Sequence, residues 1–358
     1  MLIAIAGAGA VGGTTAAYLR RAGHDVLLVD PWHQNVHAIR RDGLHLKSRD
    51  DEFRVNANAR HLDELALLRA PLEVVLLAVK SYDTDWMVRA LLPYLAEDGC
   101  IVSLQNGINE ERIAAIAGPG RTVGCVVHMS VGMFEPAVYT RYSRADWLTF
   151  TLGELDGRRS ERVDRLAELL APVGPVEEAG DIWGELWMKL SINAMNNGLT
   201  GLTGMTSPSL WMDPRGFAAM VRIGGEVVAV CEALGHRMRP IHPTGAPRPL
   251  DPAALRRASE GDLAGLEEVR SVLVASAEAR RKGARENISS LLQDVMKRRR
   301  TEIDYLNGHV AWKGGELGVP TPANRTVVDL VRQLEQGDLP RDPANLDQLL
   351  AASTNGRT

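Results

Sequence analysis

The stretch from Leu2 to Asp30 constrains this chain most. Leu2 to Ala6 is a short apolar run that reads as a buried parallel strand. It feeds Gly7-Ala8-Gly9-Ala10-Val11-Gly12, a G-x-G-x-x-G. A helix is predicted from there to about Ala22, closed by Gly23, and Val26 to Val29 is a second strand ending at Asp30. Strand, glycine-rich turn, helix, and a strand closed by an acid is the order that a dinucleotide-binding turn requires. Gly7 allows the tight turn. Gly9 lets backbone approach a pyrophosphate, and Gly12 lets the helix pack close to the strand. The helix N-terminus offers unpaired N–H groups to the phosphates. Asp30 accepts from ribose hydroxyls and repels a 2′-phosphate, so it favours NAD over NADP. Arg40 and Arg41 lie further on, within reach of such a phosphate.

The chain has 358 residues, more than one ordinary core serves, so two domains are expected. A composition of 45% hydrophobic and 24% charged residues is that of a globular chain. The net charge of −4 gives no pull towards nucleic acid or an anionic membrane, and the Arg298-Arg299-Arg300 cluster does not change that balance. No apolar run approaches the roughly 20 residues needed to span a bilayer. The first residues read as strand and turn rather than a signal peptide, and the expected compartment is the cytoplasm. Cys100, Cys125 and Cys231 are scattered and read as reduced thiols. His236 and His242 read as surface residues with no acid at ligand spacing, so no metal is expected.

Further along, Leu44–Lys47 and Phe53–Val55 read as a hairpin, and Glu73–Val79 and Ile101–Leu104 as buried strands. Ligands in open α/β sheets lie outside the carboxyl ends of strands. Lys80 and Asn106 occupy such ends, which places both near the cofactor and Asn106 also near the substrate. Val123–Ser130, Ala137–Arg141 and Leu148–Leu152 continue as strands turning antiparallel. From Gly180 the pattern becomes helical. The expected division is residues 1–180 as a Rossmann-type domain, 181–336 as a helical domain, and 337–358 as a peripheral tail. Residues 235–262 read as a long loop or short-helix insert.

Within the helical half, Glu185 to Thr206 carries Lys189, Asn193, Asn196 and Asn197 at offsets of four, seven and eight. At about 100° per residue all four share one stripe. The remaining circumference is apolar, so the helix is expected to be buried. A buried ammonium with three amides is costly without partners, which points to a small-ligand site. Ser290 and Glu302 are twelve residues apart, about 18 Å on one straight helix. If both face one small acid, the chain must bend between them. The spacing of Thr301 and Asp304 predicts a capping box and a new helix from Thr301, with Glu302 in its first turn.

GAGAVGG, AVKSYDT, SLQNGINE, ELWMKLSINAMNNGLTGL, SSLLQDVMKRRRTEIDYLNG and LGVPTPANRTVVDLV occur in this order. Together they resemble the ketopantoate reductase (2-dehydropantoate 2-reductase) family over nearly the whole chain to about Leu334. The W-x-K-L-x-x-N and T-E-I-D-Y-x-N-G pieces are its specific marks. The resemblance implies an α/β fold with an N-terminal Rossmann-type domain. An all-helical C-terminal domain of the 6-phosphogluconate dehydrogenase C-terminal kind follows. It implies hydride transfer from NAD or NADP to C2 of a 2-oxo acid, on the route to pantothenate. By the same resemblance Lys189 is the catalytic lysine and Glu302 the acid that holds a substrate hydroxyl. Asn193, Asn197 and Ser290 are substrate contacts, Asn106 faces cofactor and substrate, and Lys80 faces the cofactor. A homodimer through the second domain is a family expectation.

Three positions depart from the family pattern. Asp30-Pro31 stands where NADPH enzymes commonly carry a basic residue. Lys297 to Arg300 replaces a bend glycine, and Ser207 replaces a contact that is often Asn. Two other readings remain: an NAD-linked catabolic dehydrogenase for a bulkier 2-hydroxy acid, and a dinucleotide sensor without turnover.

Overall fold

The computed structural model describes residues 2–243, 246, 248–283 and 288–355. The chain forms two compact units, Met1–Ile182 and Trp183–Thr358. No helix among the described residues is long and apolar enough to cross a membrane.

In the first unit the strands are β1 (Ile3–Ala6), β2 (Val26–Asp30), β3 (Leu44–Lys47), β4 (Glu52–Val55), β5 (Asn58–His61), β6 (Leu72–Leu77), β7 (Leu95–Ser103), β8 (Thr122–Val127), β9 (Val131–Glu135), β10 (Val138–Arg141), β11 (Phe150–Glu154) and β12 (Val176–Glu178). The helices are α1 (Ala10–Arg21), α2 (His33–Asp42), α3 (Thr84–Leu91), α4 (Glu110–Ala117) and α5 (Glu161–Leu170). The main sheet has eight strands in the order β12-β11-β8-β7-β6-β1-β2-β5. From β5 to β8 every pairing is parallel, and β11 runs antiparallel to β8. β1 pairs with both β2 and β6, so the chain reverses its direction of progress across the sheet there. The carboxyl ends of β1 and β6 therefore form the crevice in which such sheets take ligands.

Both faces of the sheet are covered, which is why the central strands β1, β2 and β6 are apolar at nearly every position. Ile3, Ile5, Leu28 and Val102 pack on one side with Leu19 of α1 and Leu166 of α5. Ala4, Leu27, Leu77 and Ile101 pack on the other with Met87, Val88 and Ile113. This is the two-residue alternation of a strand read against two cores.

The predicted hairpin forms, with β3 antiparallel to β4. It belongs to a second sheet, β4-β3-β10-β9, in which β10 lies parallel to β3 and antiparallel to β9. The turn to antiparallel pairing therefore holds for β8 with β11 and for β9 with β10, but not for β10 with β3. Neither β5 nor β9 was anticipated. β5 reads Asn-Ala-Arg-His, with too little apolar patterning to be seen in sequence.

The second unit contains α6 (Ile182–Thr203), α7 (Ser207–Met212), α8 (Pro214–Ala233), α9 (Pro252–Ser259), α10 (Leu263–Gly283), α11 (Ser290–Met296), α12 (Asn307–Leu317), α13 (Pro322–Gln336) and α14 (Asn345–Asn355). α6 is almost wholly buried, with Trp187, Leu190, Ala194 and Leu199 inside. Among the described residues of 235–262, Ile241 bridges to Leu250, and α9 follows, capped by Asp251 through the Ala253 N–H. His236 is half-buried and stacks on Trp183, so only His242 of that pair is a plain surface residue.

Two expectations need correction. The tail is not peripheral: Leu346 and Leu349 of α14 are buried, and the Asn345 amide donates to the Leu202 carbonyl at 3.0 Å. A polar sequence hid an amphipathic helix. Nor does a helix begin at Thr301. Thr301 Oγ1 accepts from the Ile303 N–H, a single 3-10 turn covers Ile303–Tyr305, and α12 starts only at Asn307. The buried Asn307 amide donates to the Ala194 carbonyl of α6 and to Asn324 Oδ1, and these bonds decide where the helix starts.

The expected bend is present. Lys297 ends α11, Arg298 has φ of +53°, the Arg298 N–H donates to the Val295 carbonyl, and the Arg299 N–H donates to the Asp294 carbonyl. This is the glycine-type helix ending, built here with an arginine. Left-handed backbone costs a side-chain-bearing residue about 1–2 kcal/mol, partly offset by the extra freedom that glycine has when unfolded. Arg298 is exposed, so glycine would lose little packing there. Arg298→Gly is therefore expected to stabilise the chain by about 0.5–1 kcal/mol. A raised urea midpoint at unchanged slope would agree, and a lowered midpoint would mean the bend is not strained.

Candidate active site

In the first unit the glycine loop is fixed from several directions. Gly7 has φ of +99°, and a Cβ there would lie 2.6 Å from the Val79 nitrogen. Gly12 is equally closed, since a Cβ would lie 1.9 Å from the Gly7 carbonyl oxygen. Gly9 differs: a Cβ there meets nothing within 4 Å. The fold does not require glycine at that position, whereas a pyrophosphate lying against the backbone would. Ala8, Ala10 and Val11 complete the turn, with Ala10 and Val11 half-buried at the start of α1. The residues present thus match a dinucleotide.

Asp30 is buried at the end of β2. Its Oδ2 accepts from the Ala8 N–H at 2.5 Å, and its Oδ1 accepts from the Trp32 N–H at 2.8 Å. The carboxylate thus holds the loop and the turn after β2, a task that the ribose reading alone did not include. The Ala8 carbonyl is held in turn by the Asn35 amide at 2.9 Å and the Tyr139 hydroxyl at 3.1 Å. Asn35 Oδ1 accepts from the Ala137 N–H, so the second sheet braces the loop. Sequence reasoning missed Asn35 and Tyr139. The signal was Gly13, the glycine after the fingerprint, where a Cβ would sit 2.0 Å from the Tyr139 ring.

Lys80 is half-buried just past β6, and Asn106 is the one half-exposed residue between Ile101 and Glu110. The Asn106 carbonyl accepts from the Ser81 hydroxyl at 2.9 Å and the Asn109 amide at 3.0 Å. The Gln105 amide donates to the Val79 carbonyl at 2.8 Å and to Thr84 Oγ1 at 2.9 Å. This network ties the Lys80 and Asn106 turns to each other. Gln105, Ser81 and Asn109 are positioning residues that the sequence reading did not single out.

At the far edge of the sheet, the Arg40 side chain is engaged with Glu64 and the Ala59 carbonyl, and Arg41 with Asp42. His33, His61 and Asp63 form a cluster. The two imidazoles stack with centroids 3.4 Å apart at 11°. Ring-nitrogen lone pairs lie in the ring planes, so two near-parallel rings do not converge on one ion. His61 Nδ1 also bonds Asp63, and its Nε2 bonds the Pro31 carbonyl. The cluster is not arranged as a metal centre.

In the second unit, Lys189, Asn193 and Asn197 lie on one stripe of α6. Asn193 and Asn197 are buried, and Lys189 is half-buried. Burial alone lowers the Lys189 pKa to about 8. No carboxylate contributes to that shift. The Asn197 amide donates to Ser290 Oγ at 3.3 Å, which joins α6 to the start of α11. Beside it, Thr200 and Ser289 hydroxyls are 2.6 Å apart. Asn196 serves another purpose, accepting from the Trp211 indole at 3.3 Å. Ser207 is buried in the first turn of α7. Glu302 is only 4% exposed, where the chain leaves the bend.

The signature asparagines hold this helix in place. Glu226 accepts from the Ala323 and Asn324 N–H groups at 2.8 and 2.9 Å and from the Asn324 amide at 2.7 Å. Asn324 Oδ1 accepts from Asn307, whose amide also donates to the Ala194 carbonyl at 3.1 Å. A chain of hydrogen bonds, charge-assisted at Glu226, thus runs from α8 through α13 and α12 to the middle of α6.

The contrast between Gly9 and Gly12 yields a test. Gly9→Ala is expected to leave thermal unfolding unchanged while weakening NADH and NADPH binding at least ten-fold, read by nicotinamide fluorescence. Gly12→Ala is expected to lower stability, since the Gly7 carbonyl must move. Equal effects of both on stability would remove the special standing of Gly9.

The family model described as ketopantoate reductase PanE/ApbA matches residues 3–157, and its C-terminal counterpart matches 181–335. The 2-dehydropantoate 2-reductase of Archaeoglobus fulgidus is 28% identical, covering 94% of this chain and 98% of the relative. That of Mesorhizobium japonicum is 30% identical, covering 93% and 98%. A crystal structure of a PanE/ApbA family ketopantoate reductase from Ralstonia eutropha JMP134 superposes with a TM-score of 0.74 at 30% identity, over 94% of this chain and 99% of that one. A D-mandelate dehydrogenase bound to NADH and anilino(oxo)acetate has the same fold, with a TM-score of 0.78 at 22% identity over 94% and 99%. The chain belongs to the PanE/ApbA ketopantoate reductase family.

Proposed function

We propose that the chain reduces the C2 ketone of ketopantoate to D-pantoate with NAD(P)H, and that Lys189 is the proton donor. The observation that carries this is the state of Lys189: an ammonium brought by burial alone to a pKa of about 8, on a helix face shared with Asn193 and Asn197. Family membership supplies the reaction class. The nicotinamide, when bound, supplies the hydride. The chain's part is to hold the acid and to answer the charge that appears on its carbonyl oxygen.

Lys189 stabilises that oxygen as hydride arrives and gives it a proton. A pKa near 8 suits a donor at neutral pH: it is still protonated, yet releases its proton more readily than a lysine near 10.4. Asn193, and Asn197 with Ser290, offer amide and hydroxyl groups to the substrate carboxylate and hydroxyl. Glu302 accepts from the substrate hydroxyl. In the first unit, the Gly7–Gly12 turn takes the pyrophosphate, and Lys80 and Asn106 take the nicotinamide side of the cofactor. Asp30 favours NADH, because a carboxylate at the end of β2 disfavours a 2′-phosphate. That residue also supports a second reading, an NAD-linked dehydrogenase for a bulkier 2-hydroxy acid.

The test is a steady-state assay with ketopantoate, using NADPH and NADH in parallel. Turnover with either establishes the reaction. Tight NADH binding without ketopantoate turnover would favour the second reading. The pH dependence follows from the lowered pKa of Lys189. The protonated form is the donor, so kcat/KM for reduction is expected to hold below about pH 8 and fall above it. Oxidation of D-pantoate, which needs the neutral amine, is expected to rise over the same range. Lys189→Met should lower kcat by about 10²–10⁴-fold and abolish the break near pH 8. An unchanged pH profile in Lys189→Met would exclude Lys189 as the acid.

A further inference from the structure

Glu302 stands on a stretch that no regular helix holds. α11 ends at Lys297, a single 3-10 turn covers Ile303–Tyr305, and α12 starts at Asn307. A carboxylate that grips one substrate hydroxyl has to be placed to within about 0.5 Å. Where the helical ladder is missing, that placement has to come from other elements.

α13 supplies it from both sides of Glu302. Before it in the chain, the Thr301 N–H donates to Glu335 Oε1 at 2.6 Å. After it, Arg332 Nε and Nη2 donate to Asp304 Oδ1 at 3.0 and 2.7 Å, and Arg300 reaches Asp304 Oδ2 at 3.5 Å. Arg332 and Glu335 lie at i and i+3, so they share one face of α13. Between the two grips, Ile303 is buried against α6 and α13. A Cβ on Gly198 would lie 3.3 Å from Ile303 Cδ1 and 2.5 Å from Val327 Cγ1. Gly198 directly follows Asn197, so the stretch is wedged against the helix that carries the asparagine stripe. Arg332 and Glu335 themselves are exposed. An exposed pair such as Arg332 with Asp304 adds little stability in water. Two directional grips flanking one carboxylate fix its orientation instead.

We propose that Glu335 and Arg332 are positioning residues for Glu302, and that through it they set the preference of the site for a 2-oxo acid bearing a hydroxyl on its far carbon. The inference rests on the reading of Glu302 as the acceptor of that hydroxyl. It goes further by placing part of the substrate selectivity on exposed residues of α13, which act through the backbone on either side of Glu302.

The experiment compares kcat/KM for ketopantoate with kcat/KM for 3,3-dimethyl-2-oxobutanoate, the same acid without its hydroxyl, at saturating cofactor. It uses the natural full chain, Glu335→Ala, Glu335→Gln, Arg332→Met and Glu302→Gln, with thermal unfolding followed on each. Glu302→Gln removes the charge that grips the hydroxyl and should cut the preference for ketopantoate about ten-fold or more. Glu335→Ala and Arg332→Met should each cut it about three-fold or more. The loss should appear in KM for ketopantoate, with kcat and the turnover of the deoxy acid unchanged. Glu335→Gln keeps an acceptor for the Thr301 N–H and should recover most of the loss. A clamp that served stability alone would lower the unfolding temperature and leave the preference between the two acids as it was. That outcome, or equal losses on both acids, would overturn the proposal. A preference lost in Glu302→Gln but kept in Glu335→Ala and Arg332→Met would overturn the positioning role alone. A preference kept in Glu302→Gln would overturn the reading of Glu302, and the positioning role with it.

Discussion

The structure depends on a half-buried ammonium, Lys189, on a helix whose other faces are apolar. Partial removal of Lys189 from water disfavours its charged form, and burial is the one cause of its lowered pKa. Such a residue persists only if the surrounding packing leaves it no other place. α6 supplies that packing. Its apolar faces are buried, and its middle turn is fixed by the Asn307 amide through the Ala194 carbonyl. Asn307 is held by Asn324, and Asn324 by Glu226. The chemistry of one nitrogen is thus maintained by residues more than thirty positions away on three other helices.

The first unit follows the same principle with the opposite polarity. Its glycine loop would place unpaired N–H groups at a helix start, and Asp30 accepts one of them. Asn35 and Tyr139 then fix the buried Ala8 carbonyl of the loop. A small second sheet, which has no ligand-facing residue of its own in this account, is used to stiffen the turn that receives phosphates. Stiffness matters there because the donors must already be aimed before a ligand arrives.

Much of this was legible in the residues. The glycine spacing, the acid at the end of β2, and the Lys189, Asn193, Asn197 stripe each report a local geometry, and local geometry is what a sequence pattern encodes. The bend before Glu302 was also legible, because a straight helix would carry Ser290 and Glu302 too far apart. What escaped is long-range. Tyr139 contacts Ala8 across 131 residues, and Asn35 reaches Ala137 across 102, with no periodicity to mark either. The start of α12 escaped because a spacing resembling a capping box at Thr301 was outweighed by the buried bonds of Asn307. The tail helix α14 escaped because two buried leucines were diluted by polar neighbours.

The account stands or falls on the proton affinity of Lys189. The direct measurement is an NMR titration of the protein labelled with 13C at the lysine Cε, with Lys189→Met for assignment. The account predicts one lysine resonance, absent from the variant, that titrates near pH 8, well below the ordinary value of about 10.4. A Lys189 resonance titrating with the other lysines above pH 10 would contradict it. The ammonium would then be solvated or paired, and burial would not be what prepares it to give up a proton.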